Sequence, residues 1–230
     1  MKPAEDNDGR EDPETAIRDI LRRLAVTGPA VAETASEICL AAKKGRLRFG
    51  YSSRQIQAAS VYASCRLFGV PRTLKEVASA CNLDFVPLAS CYRRVIEGAG
   101  LTMPVQDPAS YVSGISSRAG LDGSTERRAV EIVNAAKRLR TTEGKAPTAV
   151  AAAALYMAYM ELHQEESLDP GTRVTQQDIA EAAGISEVAL RNRMRTISTS
   201  STKSRSGEAG AEWGHPTRRA VDLPPILDSP

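Results

Sequence analysis

Aromatic residues are scarce in this sequence: Phe, Trp and Tyr together make up only 4 % of it. Proteins that bind single-stranded nucleic acid stack the bases on aromatic side chains, so this scarcity argues against a single-strand-binding platform. The formal net charge is also small, at +2. Any attraction to nucleic acid must therefore come from locally clustered Lys and Arg rather than from the charge of the whole protein.

Side chains that bind metals are few, and their spacing fits no metal site. The sequence has two histidines, His163 and His215, and four cysteines, none of which forms a Cys-x-x-Cys pair. Structural zinc sites usually contain such pairs. The cysteines lie in apolar helical patterns, so we interpret them as small buried residues in a reducing compartment. They are Cys39, Cys65, Cys81 and Cys91. We expect neither a metal nor a cofactor.

Long apolar runs are missing as well. The stretch "AVAAAALYMAYM" (Ala149 to Met160) is too short to span a bilayer and predicts a buried helix instead. The start of the chain is acidic and has no apolar segment, so we predict no signal peptide and no membrane contact. The sequence contains no nucleophile–base pair, glycine-rich phosphate loop or set of metal-spaced ligands. We therefore predict a cytoplasmic protein that is not an enzyme.

Helical spacing of apolar residues runs through most of the chain, and no segment alternates like a β-strand. This pattern predicts an all-α protein. Residues 1–11 are acidic and rich in turn formers, which predicts a disordered N-terminus. Residues 199–230 are rich in Ser and Pro, which predicts a disordered tail.

The same order of helix signals occurs twice. Short helices with capping residues are predicted to begin after Thr73 and Thr175, which are 175 − 73 = 102 residues apart. The same offset pairs Leu88 with Leu190. A period of about a hundred residues indicates a duplicated domain rather than a solenoid. We therefore predict two helical repeats of about five helices each, with the second ending in a helix–turn–helix. The predicted boundaries are residues 12–103 for repeat 1 and residues 104–198 for repeat 2.

Three segments carry a family resemblance: "AASVYASCRLFGVPRTLKEVA", "AVAAAALYMA" and "TQQDIAEAAGISEVALRNRMR". They closely resemble the core of the transcription factor IIB family, in particular its archaeal members, called transcription factor B. The resemblance covers about Asp12 to Ile197. It implies two cyclin-like repeats that bind the complex of TATA-binding protein with double-stranded promoter DNA and place RNA polymerase on it. It also implies that the helix–turn–helix reads the B-recognition element upstream of the TATA box, and that the protein is associated with the nucleoid of a prokaryotic cell.

The predicted recognition helix follows "GIS" in "GISEVALRNRMR". Val188, Arg191 and Arg195 fall on one helical stripe, whereas Leu190, Met194 and Ile197 fall on another that can face the core. Arg191 can donate two hydrogen bonds to guanine, and Val188 can meet a thymine methyl group. In the family, a Val and an Arg at this spacing read the bases, and they match Val188 and Arg191. The predicted contacts to the DNA backbone in this segment are Ser186, Arg193 and Arg195. The alternative interpretation is a solvated arginine face.

Repeat 1 has Ala89 at the position equivalent to Arg191, so we predict that it reads bases poorly. We expect it to hold the DNA backbone and to touch TATA-binding protein. The candidate backbone contacts are Arg72, Lys75, Arg93 and Arg94. A basic cluster is a further candidate for DNA or partner contact, or alternatively balances the negative C-terminal end of a helix. It consists of Lys43, Lys44, Arg46 and Arg48, and the run Lys137 to Arg140 leaves the same two interpretations open.

The sequence departs from the family pattern at its start. Members usually begin with a cysteine-rich zinc ribbon and a segment that enters the polymerase cleft, and this sequence has neither. We therefore expect a core fragment or a short paralogue that acts as a regulator or competitor, which leaves polymerase recruitment open. A cyclin-like scaffold that binds a protein and no DNA is a further alternative. The arginines of "EVALRNR" favour DNA binding over that scaffold.

Overall fold

The computed structural model of this chain describes residues 12–44, 50–163 and 173–205. Over these ranges the chain forms ten α-helices and no β-strand, so the all-α prediction is confirmed. Repeat 1 contains α1 (Pro13–Arg23), α2 (Pro29–Lys44), α3 (Ser53–Leu67), α4 (Leu74–Ala80) and α5 (Phe85–Gly98). Repeat 2 contains α6 (Ala109–Arg118), α7 (Gly123–Arg138), α8 (Pro147–Leu162), α9 (Gln176–Ala183) and α10 (Glu187–Arg205).

Capping residues begin the short helices α4 and α9, as the sequence predicts. The backbone N–H of Glu76 donates to the Thr73 hydroxyl at 3.1 Å, and the N–H of Thr73 donates to the Glu76 carboxylate at 2.6 Å. Thr175 and Asp178 form the same reciprocal pair at the start of α9. Each box gives partners to two backbone donors that the first helical turn leaves unpaired.

Each repeat is built around one enclosed helix. The central helices are α3 in repeat 1 and α8 in repeat 2, and each buries residues on nearly all sides. The small buried side chains, Ala in both helices and also Ser in α3, leave room for the neighbouring helices. In repeat 1 the buried Ser64 hydroxyl donates to the Val31 carbonyl of α2 at 2.7 Å, so this polar group is paired inside the core. The apolar side chains around α3 and α8 form two separate cores.

Residues 102 positions apart occupy matching places in the two cores. Leu88 and Leu190 are both fully buried, as are Val77 and Ile179. The prediction of a duplicated helical unit agrees with this match in burial.

Polar contacts join the two repeats along what we call the inter-repeat seam, formed by Arg72, Lys75 and Glu76 of repeat 1 and Tyr111, Arg118, Ala182 and Gly184 of repeat 2. Arg118 donates to the Glu76 carboxylate at 3.0 Å and to the Ala182 carbonyl at 2.7 Å. Lys75 donates to the Gly184 carbonyl at 2.7 Å, and the Tyr111 hydroxyl donates to the Arg72 carbonyl at 3.4 Å. The seam thus ties α4 to the helix–turn–helix of repeat 2.

Some helix ends differ from the sequence prediction. The clearest difference is α10, which continues to Arg205, beyond the predicted end of repeat 2 at residue 198. The Ser-rich composition of residues 199–230 predicts a disordered tail that begins at residue 199. In the structure the hydroxyls of Thr196 and Thr199 donate to carbonyls one turn earlier, both at 2.8 Å, so they do not compete with the helical backbone. The predicted tail from residue 206 onward and the predicted N-terminus 1–11 lie outside the described residues.

All four cysteines are buried as free thiols, in agreement with their interpretation as small core residues. Burial raises the pKa of each thiol, to about 11 for Cys65 and about 12 for Cys91. Within residues 12–44, 50–163 and 173–205, no group of three or more His, Cys, Asp or Glu is placed to hold a metal ion. No helix in these ranges combines the length and the apolar character needed to cross a membrane.

Candidate nucleic-acid interface

The helix–turn–helix of repeat 2 is built by α9, a glycine turn and α10. Gly184 ends α9 in the left-handed conformation at φ 65°, which a residue with a Cβ adopts only with strain. The Ile185 N–H then donates to the Ala180 carbonyl at 2.9 Å and closes the turn. Ser186 caps the next helix, because its hydroxyl accepts a hydrogen bond from the Ala189 N–H at 3.2 Å. These local contacts fix where α10 starts and which way it points.

The two stripes of α10 lie as their spacing predicts. Leu190 and Ile197 are buried in the core of repeat 2, and Met194 packs against it. On the other side Val188 is 62 % exposed, and Arg191 and Arg195 are also exposed. The N-terminal half of α10 therefore presents a valine and an arginine to solvent. Their roles in reading bases stay predictions.

Arg191 is exposed, but its guanidinium is not free. Its Nε donates to the Gln176 side-chain oxygen at 2.9 Å, and its Nη2 forms an ion pair with the Glu187 carboxylate. Neither partner is among the predictions from the sequence pattern. Glu187 stands four residues before Arg191, a spacing that could have revealed the ion pair. Gln176 comes from the preceding helix, and no local pattern indicates its contact.

Arg193 and Arg195 lie in different environments, although both are predicted contacts to the DNA backbone. Arg195 is exposed, as a phosphate contact requires. Arg193 is only partly exposed, and its buried Nη1 atom has no hydrogen-bond partner within the described residues. Ser186 is exposed, and its O–H remains able to donate while its oxygen caps α10. The geometry therefore favours Ser186 and Arg195 over Arg193 as positions that a phosphate can reach.

Two of the predicted backbone contacts in repeat 1 hold protein groups instead of facing solvent freely. Arg72 donates through Nε to the Leu24 carbonyl at 2.9 Å and through Nη1 to the Pro71 carbonyl at 3.1 Å. Lys75 donates to Gly184 across the inter-repeat seam. Contact of either cation with DNA would require these hydrogen bonds to be shared or broken. No local sequence pattern predicts the inter-repeat seam, because the residues that it joins lie far apart along the chain.

The exposed arginines of α5 are better placed for a charged partner. Arg93 and Arg94 are both exposed. Arg94 pairs with Glu97 at 3.4 Å, an exposed contact of small energy, and the Nε of Arg93 donates weakly to the Ala89 carbonyl at 3.4 Å. Neither interaction would strongly oppose a phosphate contact.

The two predicted basic clusters differ: the structure describes only part of the first, and two residues of the second form ion pairs. Lys43 and Lys44 end α2, where positive charge favours the helix C-terminus, whereas Arg46 and Arg48 lie outside the described residues. In the second run, Lys137 pairs with Asp107 at 2.7 Å and Arg140 pairs with Glu143 at 3.0 Å. Burial alone would raise the pKa of Asp107, but hydrogen bonds from Lys137 and the Ala109 N–H leave it below its ordinary value. Lys137 therefore anchors the start of α6.

Comparisons with known proteins agree with this architecture. The family model of the transcription factor TFIIB repeat matches the chain twice, over residues 7–97 and 101–199. A protein of Pyrodictium occultum named transcription initiation factor IIB is 41 % identical over 187 residues, which are 80 % of this chain and 57 % of that protein. The protein of the same name from Archaeoglobus fulgidus is 38 % identical over 73 % of this chain and 49 % of its own length.

A third relative, transcription initiation factor IIB 1 of Saccharolobus solfataricus, is 39 % identical over 68 % of this chain and 48 % of its own length. The chain thus spans about half the length of the curated relatives it matches. The two family-model matches follow one another along the chain, as do the two helical units built around α3 and α8. The chain therefore belongs to the family of proteins built from transcription factor TFIIB repeats.

Proposed function

We propose that this chain forms the core of a general transcription initiation factor that binds the complex of TATA-binding protein with promoter DNA. The observation that carries the proposal is the exposed face of α10, with Val188 and Arg191 at its N-terminal end. Membership of the TFIIB-repeat family supports it, as do relatives named transcription initiation factor IIB. The protein would act on double-stranded DNA in the nucleoid of a prokaryotic cell and would catalyse no reaction.

In this proposal the N-terminal half of α10 enters the major groove upstream of the TATA box. Arg191 donates to guanine O6 and N7, and Val188 contacts a thymine methyl group. Ser186 and Arg195 reach the neighbouring phosphates and set the register of the helix without selecting a sequence. Arg93 and Arg94 of repeat 1 neutralise backbone phosphates on the other side of the bent DNA.

A gel-shift experiment with double-stranded TATA-containing DNA tests the central claim. We expect little binding of the chain alone and a supershift when a TATA-binding protein from one of the organisms above is present. The chain has almost no net charge to attract DNA by itself, so the protein partner has to supply part of the surface. Binding to TATA-binding protein without any requirement for DNA would instead indicate a protein-docking scaffold.

Two arginine variants test which residues read bases. Arg191→Ala should remove the preference at one upstream base pair, a loss of about 1–3 kcal/mol of discrimination. Arg195→Ala should weaken binding to all sequences about equally and reduce the salt dependence by about one phosphate contact. Equal losses for both variants on every promoter would show that the assignment of base reading to Arg191 is wrong.

Placement of RNA polymerase is the second part of the proposal. Adding polymerase to the complex of chain, TATA-binding protein and DNA should produce a further shift and support transcription in a run-off assay. If the chain enters the first complex but blocks transcription by a full-length relative, it acts as a competitor. The two assays separate promoter binding from recruitment.

A further inference from the structure

The guanidinium of Arg191 is held by two acceptors on two different helices. Gln176 at the start of α9 accepts from Nε at 2.9 Å, and Glu187 at the start of α10 accepts from Nη2. The side chain of Arg191 is nevertheless 58 % exposed. Exposed ion pairs of this kind contribute little to folding. The consequence of these contacts therefore lies in the orientation of the arginine.

The two contacts leave a defined set of donors available. A guanidinium carries five N–H donors in one plane, and Gln176 and Glu187 engage Nε and Nη2. Within the described residues, Nη1 of Arg191 has no protein partner, and Nη2 retains a second N–H. These two nitrogens form the outer end of the group. Two parallel donors in one plane are what guanine O6 and N7 require.

Ordering the side chain before binding also affects affinity. A flexible arginine loses rotamer freedom when it docks on a base, whereas an arginine already held in place loses less. Glu187 adds an electrostatic effect, because its carboxylate repels nearby phosphates. An acidic group at the reading end of α10 therefore disfavours binding to DNA that does not engage Arg191.

We propose that Gln176 and Glu187 are positioning residues for base recognition: they hold Arg191 so that its outer two nitrogens face the major groove. This inference rests on the proposed function, since it requires Arg191 to read a base. Through Gln176, the first helix of the motif, α9, would contribute to sequence specificity without contacting a base directly.

The test compares two TATA-containing duplexes that differ only at the guanine whose preference is lost in Arg191→Ala. Binding of the full chain is measured in the presence of TATA-binding protein. Gln176→Ala and Glu187→Ala should each reduce the ratio of the two affinities by about three- to ten-fold. Glu187→Gln keeps an acceptor for Arg191, so it should retain the ratio while binding both duplexes about two- to five-fold more tightly.

Matched controls lie on the exposed surface of α9. Gln177→Ala and Glu181→Gln change an amide and a charge close to the motif without touching Arg191, and they should leave the ratio of affinities unchanged. The melting temperatures of all variants should stay close to that of the parent chain. This readout separates a lost orientation from a disturbed fold.

The outcomes separate the inference from the function on which it rests. If the parent chain discriminates between the duplexes and Gln176→Ala and Glu187→Ala discriminate equally well, the positioning role is overturned and base reading by Arg191 stands. If the parent chain forms the complex but does not discriminate at any position that Arg191→Ala affects, both proposals fail. If the ratio of the two affinities falls in Glu187→Ala but stays at the parent value in Glu187→Gln, the positioning role is supported.

Discussion

The last helix of each repeat occupies an equivalent place in the fold but offers a different surface. In α5 and α10 the buried side chains match at an offset of 102 residues, since Leu88 and Leu190 are both fully buried. Val86 and Val188 match as well, and they are 74 % and 62 % exposed. The duplicated scaffold therefore presents a solvent-facing N-terminal turn in both halves of the molecule.

The exposed polar groups on that turn distinguish the two helices. Where α10 has Glu187 and Arg191, α5 has Phe85 and Ala89. The cap differs too: Ser186 caps α10 through its side chain, whereas Asp84 makes no such bond at the start of α5. Of the helices α5 and α10, only α10 combines a start capped by a side chain with an arginine that two side chains accept from. Matched cores in the two repeats therefore do not require matched surfaces.

The largest effect is expected from emptying the two cores at their matched positions. Leu88→Ala and Leu190→Ala should each lower the free energy of unfolding by about 2–5 kcal/mol, because each removes a fully buried side chain. Since the cores are separate, hydrogen exchange followed by mass spectrometry should show faster exchange mainly in the mutated repeat. Leu190→Ala should also weaken base discrimination by tilting α10. Equal acceleration in both repeats by either variant would show that the two repeats unfold as one unit.

The next prediction concerns the two capping boxes, which look alike but differ in their surroundings. Glu76 accepts from the Thr73 N–H and, through its other oxygen, from Arg118 across the inter-repeat seam. Within the part of the chain that the structure describes, the Asp178 carboxylate accepts only from Thr175 of the α9 box. Glu76→Ala should therefore lower the free energy of unfolding by about 1–2 kcal/mol relative to the parent chain. Asp178→Ala should lower it by less. Urea unfolding measures both variants.

A double-mutant cycle shows how much of the Glu76 effect belongs to the seam. Combining Glu76→Ala with Arg118→Ala should give a coupling energy of about 0.2–1 kcal/mol, as both side chains are partly exposed. A coupling of zero, together with equal destabilisation by Glu76→Ala and Asp178→Ala, would mean that the two boxes are equivalent after all.

Most of the fold could be predicted from the sequence because its helix boundaries are set by local chemistry. For example, α2 and α8 begin at Pro29 and Pro147, because proline is well suited to the first position of a helix. The predicted start of the tail at residue 199 was wrong, because Ser and Thr are found in linkers as well as in helices. In α10 the hydroxyls of Thr196 and Thr199 donate to carbonyls one turn earlier, which is compatible with a continuing helix.

The candidate site could be predicted only in part. Helical spacing was enough to place Val188 and Arg191 on the exposed side of α10, opposite Leu190. The partners of charged side chains were not accessible in the same way. Gln176 accepts from Arg191 across two different helices, α9 and α10, and Lys75 donates to Gly184, which lies 109 residues further along the chain. Such contacts depend on tertiary geometry, which no local pattern encodes.

The smallest expected effect is a difference in acid sensitivity between equivalent helix starts. In repeat 2 the Asp122 carboxylate accepts from the Thr125 N–H at 2.8 Å and begins α7. In repeat 1 the equivalent helix, α2, begins at Pro29, and Gly28 precedes it. Hydrogen bonds from Ser124 and Thr125 lower the pKa of Asp122 from its ordinary value of 3.8 to about 2.

Because the folded pKa of Asp122 is below the unfolded value, its contribution to stability is complete above pH 3.8 and is lost as the pH falls through about 2. Asp122→Asn keeps a capping side chain but removes the titrating group, so it serves as the matched variant. The difference in unfolding free energy between parent and variant should shrink from pH 5 to pH 2, and hydrogen exchange should locate the change at the start of α7. A difference that stays constant with pH would show that the carboxylate charge contributes nothing to this cap, and the two helix starts would then be equally insensitive to acid.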